Sequence, residues 1–165
     1  MLDDFYEAFS PACFGLLGLW MVVVQIRVHD LRHGPFRQVA YGIALCFALP
    51  GIMSVLALVD DKDPAYWQIS FIIVALGGAI MIYRVHHGIP DLERRHVLAY
   101  LTVTALYLVI GLLALLGRLD KAAGPAMLRT DAILLTVVIF LGFNAAWLVL
   151  FSPEVTHGRT ESSRA

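Results

Sequence analysis

The stretch Ala132–Phe151, AILLTVVIFLGFNAAWLVLF, decides the fold. It holds twenty residues and no Asp, Glu, Lys, Arg or His. A hydrocarbon core about 30 Å thick is crossed by a helix of about 20 apolar residues. The stretch has that length, and it is apolar on every face. Four runs of the same kind precede it: Phe9–Ile26, Val39–Val59, Tyr66–Tyr83 and Val97–Leu116. Strands of a membrane barrel alternate apolar and polar residues over about 10 positions. These runs do neither. The expected fold is therefore all-α, a polytopic transmembrane bundle of five spans within residues 1–151. The polar segment Ser152–Ala165 is expected to be a disordered cytoplasmic tail.

Composition agrees with lipid as the surrounding medium. Of 165 residues, 59% are hydrophobic and 15% charged, and the mean hydropathy is +0.77. Soluble domains carry about 25% charged residues. A chain this short could not bury so much apolar surface in one water-soluble core. The net charge of -1 gives no basic patch, so no nucleic-acid partner is expected. The first residues are acidic, through Asp3, Asp4 and Glu7. A secretory signal would begin with basic residues, so the first run reads as a retained span.

Charge and turn residues separate the runs. Arg27–Arg37 contains Gly34-Pro35, and Asp60–Pro64 forms an acidic turn. Arg84–His96 contains Gly88 and Pro90, and Arg118–Asp131 contains Gly124-Pro125. Proline lacks an N–H and fixes φ, so such pairs interrupt helices. Lys and Arg collect on the cytoplasmic side. With the N-terminus outside, eight of the twelve basic residues face the cytoplasm and four face out. The expected orientation is N-outside and C-inside. The fourth connection, with Arg118, Lys121 and Arg129, opposes it. Ten arginines against two lysines fit a bacterial inner membrane. Tyr66 and Trp67, and Tyr41, Tyr83, Tyr100 and Trp147, lie near span ends, the depth that amphipathic rings favour.

Helices in lipid are joined by close packing of small residues and by a few hydrogen bonds. The small pairs Ala44/Ala48, Ala75/Ala79 and Gly142/Ala146 suit close approach, as do Gly15/Gly18 and Gly77-Gly78. Tyr100, Thr104, Tyr107 and Gly111 share one face of the fourth span at helical spacing. Thr136, Phe140, Asn144 and Trp147 do much the same on the fifth. Both faces are expected to point into the bundle. Thr104, Tyr107 and Asn144 are then its interior polar groups, with the Asn144 amide bonded between helices. Pro11 falls at the start of the first span, where a missing N–H is tolerated. Pro50 falls mid-span, where a kink is expected.

The chemistry-bearing residues are sparse. Cys13 and Cys46 lie inside apolar runs and form no CxxC pair. His29 and His33 would share a helix face, and His86 and His87 lie in another connection. These four alone could approach a metal, but no cysteine or carboxylate pair accompanies them, and no metal or cofactor is expected. No histidine falls inside a run, which disfavours a haem between helices. His86 and Asp91 match an H-x4-D acyltransferase spacing, but so short a loop lacks the domain this chemistry needs. No run contains an ionisable residue, which argues against proton relays and ion-coupled transport. The expected role is a non-enzymatic accessory or interaction subunit. Its partners would be the lipid bilayer and either further copies of the chain or another membrane protein. A small oligomeric channel or transporter using Pro50, Thr104 and Asn144 is the alternative. A lipid-handling enzyme using the cytoplasmic His and Asp loops is a third reading.

Overall fold

The computed structural model of the chain describes residues 2–26, 36–59, 64–87, 94–120 and 122–151. These residues form five helices and no strand: α1 (Leu2–Ile26), α2 (Phe36–Ala57), α3 (Pro64–His87), α4 (Arg94–Leu119) and α5 (Gly124–Phe151). Each is long and apolar enough to cross a membrane. The physical cause is the medium, because backbone N–H and C=O groups in lipid must find partners within their own segment. The chain is a multi-pass helical membrane protein. The expected tail, Ser152–Ala165, lies outside the described residues.

Most helices extend beyond their apolar runs, because a helix needs an apolar surface only where lipid touches it. Two extensions correct the sequence reading. Helix α1 begins at Leu2, so Pro11 lies in its interior rather than its first turn. The early start is explained by packing, since Tyr6 is buried and Phe5 and Phe9 stack beside it. Helix α5 begins at Gly124, so Arg129 and Asp131 belong to the helix and not to the connection. Gly124-Pro125 opens α5, where the first turn has no use for the missing proline N–H. Before it, the Asp120 carboxylate accepts the Ala122 N–H at 3.0 Å. The Ala123 carbonyl then accepts from Ala126 and Met127. Helix α2 continues through Pro50 to Ala57. There the Ser54 hydroxyl donates to the Pro50 carbonyl at 2.8 Å.

Helices α2, α3, α4 and α5 close a ring in which each packs on the next and α5 returns to α2. Helix α1 lies outside that ring, against α2 and more lightly against α5. Helix α2 therefore meets three neighbours, and 61% of its apolar window is buried, more than in any other helix. The ring is filled by Met53, Phe71, Ala75, Tyr107, Ile110, Leu135 and Val138, all fully buried.

Small residues set the approach of the helices. A Cβ on Gly142 would lie 2.7 Å from the Cys46 Cβ, so α5 and α2 touch almost backbone to backbone. A Cβ on Gly78 would lie 2.7 Å from a Leu49 methyl, with the Tyr107 ring just beyond. Ala75, Ala79 and Ala146 are buried at such contacts, whereas Gly15, Gly18 and Gly77 have open space beside them. The sequence names small residues but not which side of the helix meets a neighbour.

Candidate functional site

At the end of the bundle that carries the start of α1, polar side chains are sealed under an aromatic layer. Trp67 and Phe71 meet edge to face at 5.6 Å, and Phe71 meets Tyr6 the same way at 6.5 Å. Trp67 is thus turned into the protein rather than towards an interface. The Tyr6 hydroxyl donates to the Leu128 carbonyl at 3.0 Å and clasps α1 to α5. Gln68 is buried, close to Gly117 and Gly124. Ser10 and Ser54 are the other buried hydroxyls of this half.

Asp131 is the central group of this end. Its exposure is 0%, and neither carboxylate oxygen has a hydrogen-bond partner. Tyr6 is the titratable neighbour close enough to sense its charge. Buried polar groups are nearly always hydrogen-bonded, and a buried charge is paired or neutralised. An orphaned carboxyl inside a membrane protein is thus a functional candidate by its cost alone.

The sequence reading placed Asp131 in a connection and missed it. A usable signal was present. Gly124, Leu128, Asp131, Leu135, Val138, Gly142 and Ala146 follow one another at three or four positions, the period of a single helix face. All but Leu128 are buried, and Leu128 packs against the core. The run of apolar residues begins one position after Asp131, and this hid the continuation of the interior face.

The residues expected inside the bundle are found in three different settings. Tyr107 is fully buried in the ring, with its hydroxyl unpartnered and Cys46 and Cys13 among its near neighbours. Thr104 is half-buried, and its hydroxyl donates to the Tyr100 carbonyl of its own helix at 2.8 Å. Asn144 is exposed, and its amide donates to the Phe140 carbonyl of its own helix at 2.7 Å. The α5 face of Thr136, Phe140, Asn144 and Trp147 is exposed rather than packed into the bundle, opposite to the expectation, with Asn144 at the rim of a cleft between α5 and its neighbours. The small face of Gly142 and Ala146 lies inwards in its place because it lets α5 reach α2.

At the other end a cleft of about 270 Å³ separates α2, α4 and α5. It is bordered by Gly42, Cys46, Tyr100, Val103, Asn144 and Leu148, so its lining is mostly apolar. Asn144 borders this cleft, whereas Thr104 and Tyr107 do not.

Among the described residues, no three His, Cys, Asp or Glu side chains converge on a point. His29 and His33 lie outside the described residues, as do the side chains of His86 and His87 in the last turn of α3. Cys13 and Cys46 are free, buried thiols. The chain matches no known protein family, no curated protein and no solved structure.

Proposed function

We propose that the chain is a non-enzymatic membrane subunit that works by association, with the outer face of α5 seated against a transmembrane helix of a partner. The observation that carries this reading is the outward Asn144. It lies seven positions before Phe151, which is about 10 Å of helix and well inside the hydrocarbon. Its amide N–H donates to the Phe140 carbonyl of its own helix, and its amide oxygen belongs to an exposed side chain on the helix that also exposes Phe140, Phe143 and Trp147. Lipid tails offer that oxygen no donor. A hydrogen-bonding side chain on a neighbouring helix does, at an average of about 0.6 kcal/mol in membranes. Phe143, Trp147 and Phe151 stack along the same surface, with centroids 6.4 and 4.7 Å apart, and form a firm apolar platform. The eight Lys and Arg on one side against four on the other support the orientation with N outside and C inside.

The test places a photo-crosslinking amino acid at Phe140 or Trp147, with Leu108 on the lipid face of α4 as the control. Protein adducts should form from the α5 positions and not from Leu108, and Asn144→Leu should weaken the association about threefold, as a bond of about 0.6 kcal/mol implies. Equal labelling from both helices, or lipid adducts alone, would contradict the proposal.

A further inference from the structure

We propose that Asp131 is a proton-binding site, closed over by the clasp of α1 on α5. The site lies on the inner face of α5, apart from the association surface. The carboxyl has no exposure and no donor within reach. An ionised carboxylate in such surroundings costs several kcal/mol or more unless a positive charge accompanies it. Among the described residues the elements packed around it do not provide one. Helix α1 presents Tyr6, whose hydroxyl proton is already committed to Leu128. Its acidic residues Asp3, Asp4 and Glu7 are turned outwards. Helices α2 and α3 bring only neutral groups to this end, with Ser54 and Gln68 as the buried ones. Arg118 of α4 and Arg129 of α5 are exposed. A metal ion is a poorer occupant, since a hard cation asks for about six oxygen ligands and, among the described residues, no three His, Cys, Asp or Glu side chains converge. A proton asks for one oxygen.

The position of the site makes exchange feasible. The twenty residues after Asp131 span the hydrocarbon, so the carboxyl sits at its boundary and not at its centre. Tyr6, in the first turns of α1, lies close to it and is bonded to Leu128 one turn before it on α5. In the closed bundle a carboxylate oxygen holds a proton taken from water. To release it, the carboxyl must meet water, and α1 must part from α5. The closed form therefore carries one proton more than the open form. By linkage, acid favours closure and base favours opening.

The test uses the full chain in lipid nanodiscs, with isotope-labelled aspartate and infrared spectroscopy of the carboxyl stretch. At neutral pH a protonated-aspartate band is expected in the wild type and not in Asp131→Asn. Titration with base should remove the band as the first turns of α1 gain amide exchange. Tyr6→Phe keeps the ring but loses the clasp, so the band should vanish at a lower pH than in the wild type. If Asp131→Asn does not fold, the wild-type titration and Tyr6→Phe still decide. Absence of the band at neutral pH, a band unchanged in Asp131→Asn, or no shift in Tyr6→Phe would overturn the proposal. So would a band that appears only on withdrawal of sodium or potassium, which would assign the site to a metal cation.

Discussion

Trp20 holds the far end of α1 through a single polar contact. Its indole N–H donates to the Ala40 carbonyl at 2.9 Å in a buried setting. Trp20→Phe keeps much of the apolar contact and leaves that acceptor with one partner fewer. Thermal unfolding in detergent should register a loss of about 1 kcal/mol. Trp147→Phe, on the exposed face of α5, should leave the unfolding of the isolated chain unchanged. Asp131 behaves oppositely. Its neutral isostere removes a group whose ionised form is unpartnered, so Asp131→Asn should unfold at a higher temperature than the wild type in alkaline buffer. The two should converge as the pH falls and the wild-type carboxyl becomes neutral. A variant less stable at every pH would mean that the carboxylate has a partner holding it. Sequence alone could mark Asp131 as acidic and near a span. It could not show that Tyr6 reaches α5 beside it, because Tyr6 and its acceptor Leu128 lie 122 positions apart in the chain.

Among the elements, α5 shows most plainly what a hydropathy pattern conveys and what it conceals. Its apolar run marks a crossing, and the crossing is there. The run is apolar on all sides, so polarity does not distinguish the inner face from the outer. Residue size does, because Gly142 and Ala146 let α2 approach where Asn144 and Trp147 would hold it away. This predicts a contrast between two glycines. In Gly142→Ala the new methyl meets the Cys46 Cβ, which cannot swing aside, and the α2–α5 contact must open. The cost should be about 1–3 kcal/mol in detergent unfolding, as for other overpacked sites. Gly77→Ala adds its methyl to open space on α3, and the better helix former should stabilise by about 0.5–1 kcal/mol. Equal effects at the two positions would count against the backbone approach at Gly142.

For the whole molecule, the five crossings were legible because lipid imposes length and apolarity on any helix that spans it. The closed ring of α2 to α5, with α1 outside, was not legible. It is set by which small residues meet, Gly142 against Cys46 and Gly78 against Leu49, and many other pairings are compatible with the same five runs. Helix limits were legible only as far as the apolar runs reached. The charged turns of α3, α4 and α5 stay helical beyond them. Five crossings place the two ends of this chain on opposite sides of the membrane, whichever way it is inserted. The most direct measurement is protease protection in sealed membrane vesicles, with one epitope tag before Met1 and another after Ala165. One tag should be removed and the other protected, and both should be lost once the membrane is opened with detergent. Removal of both tags, or protection of both, in intact vesicles would contradict the five-span bundle.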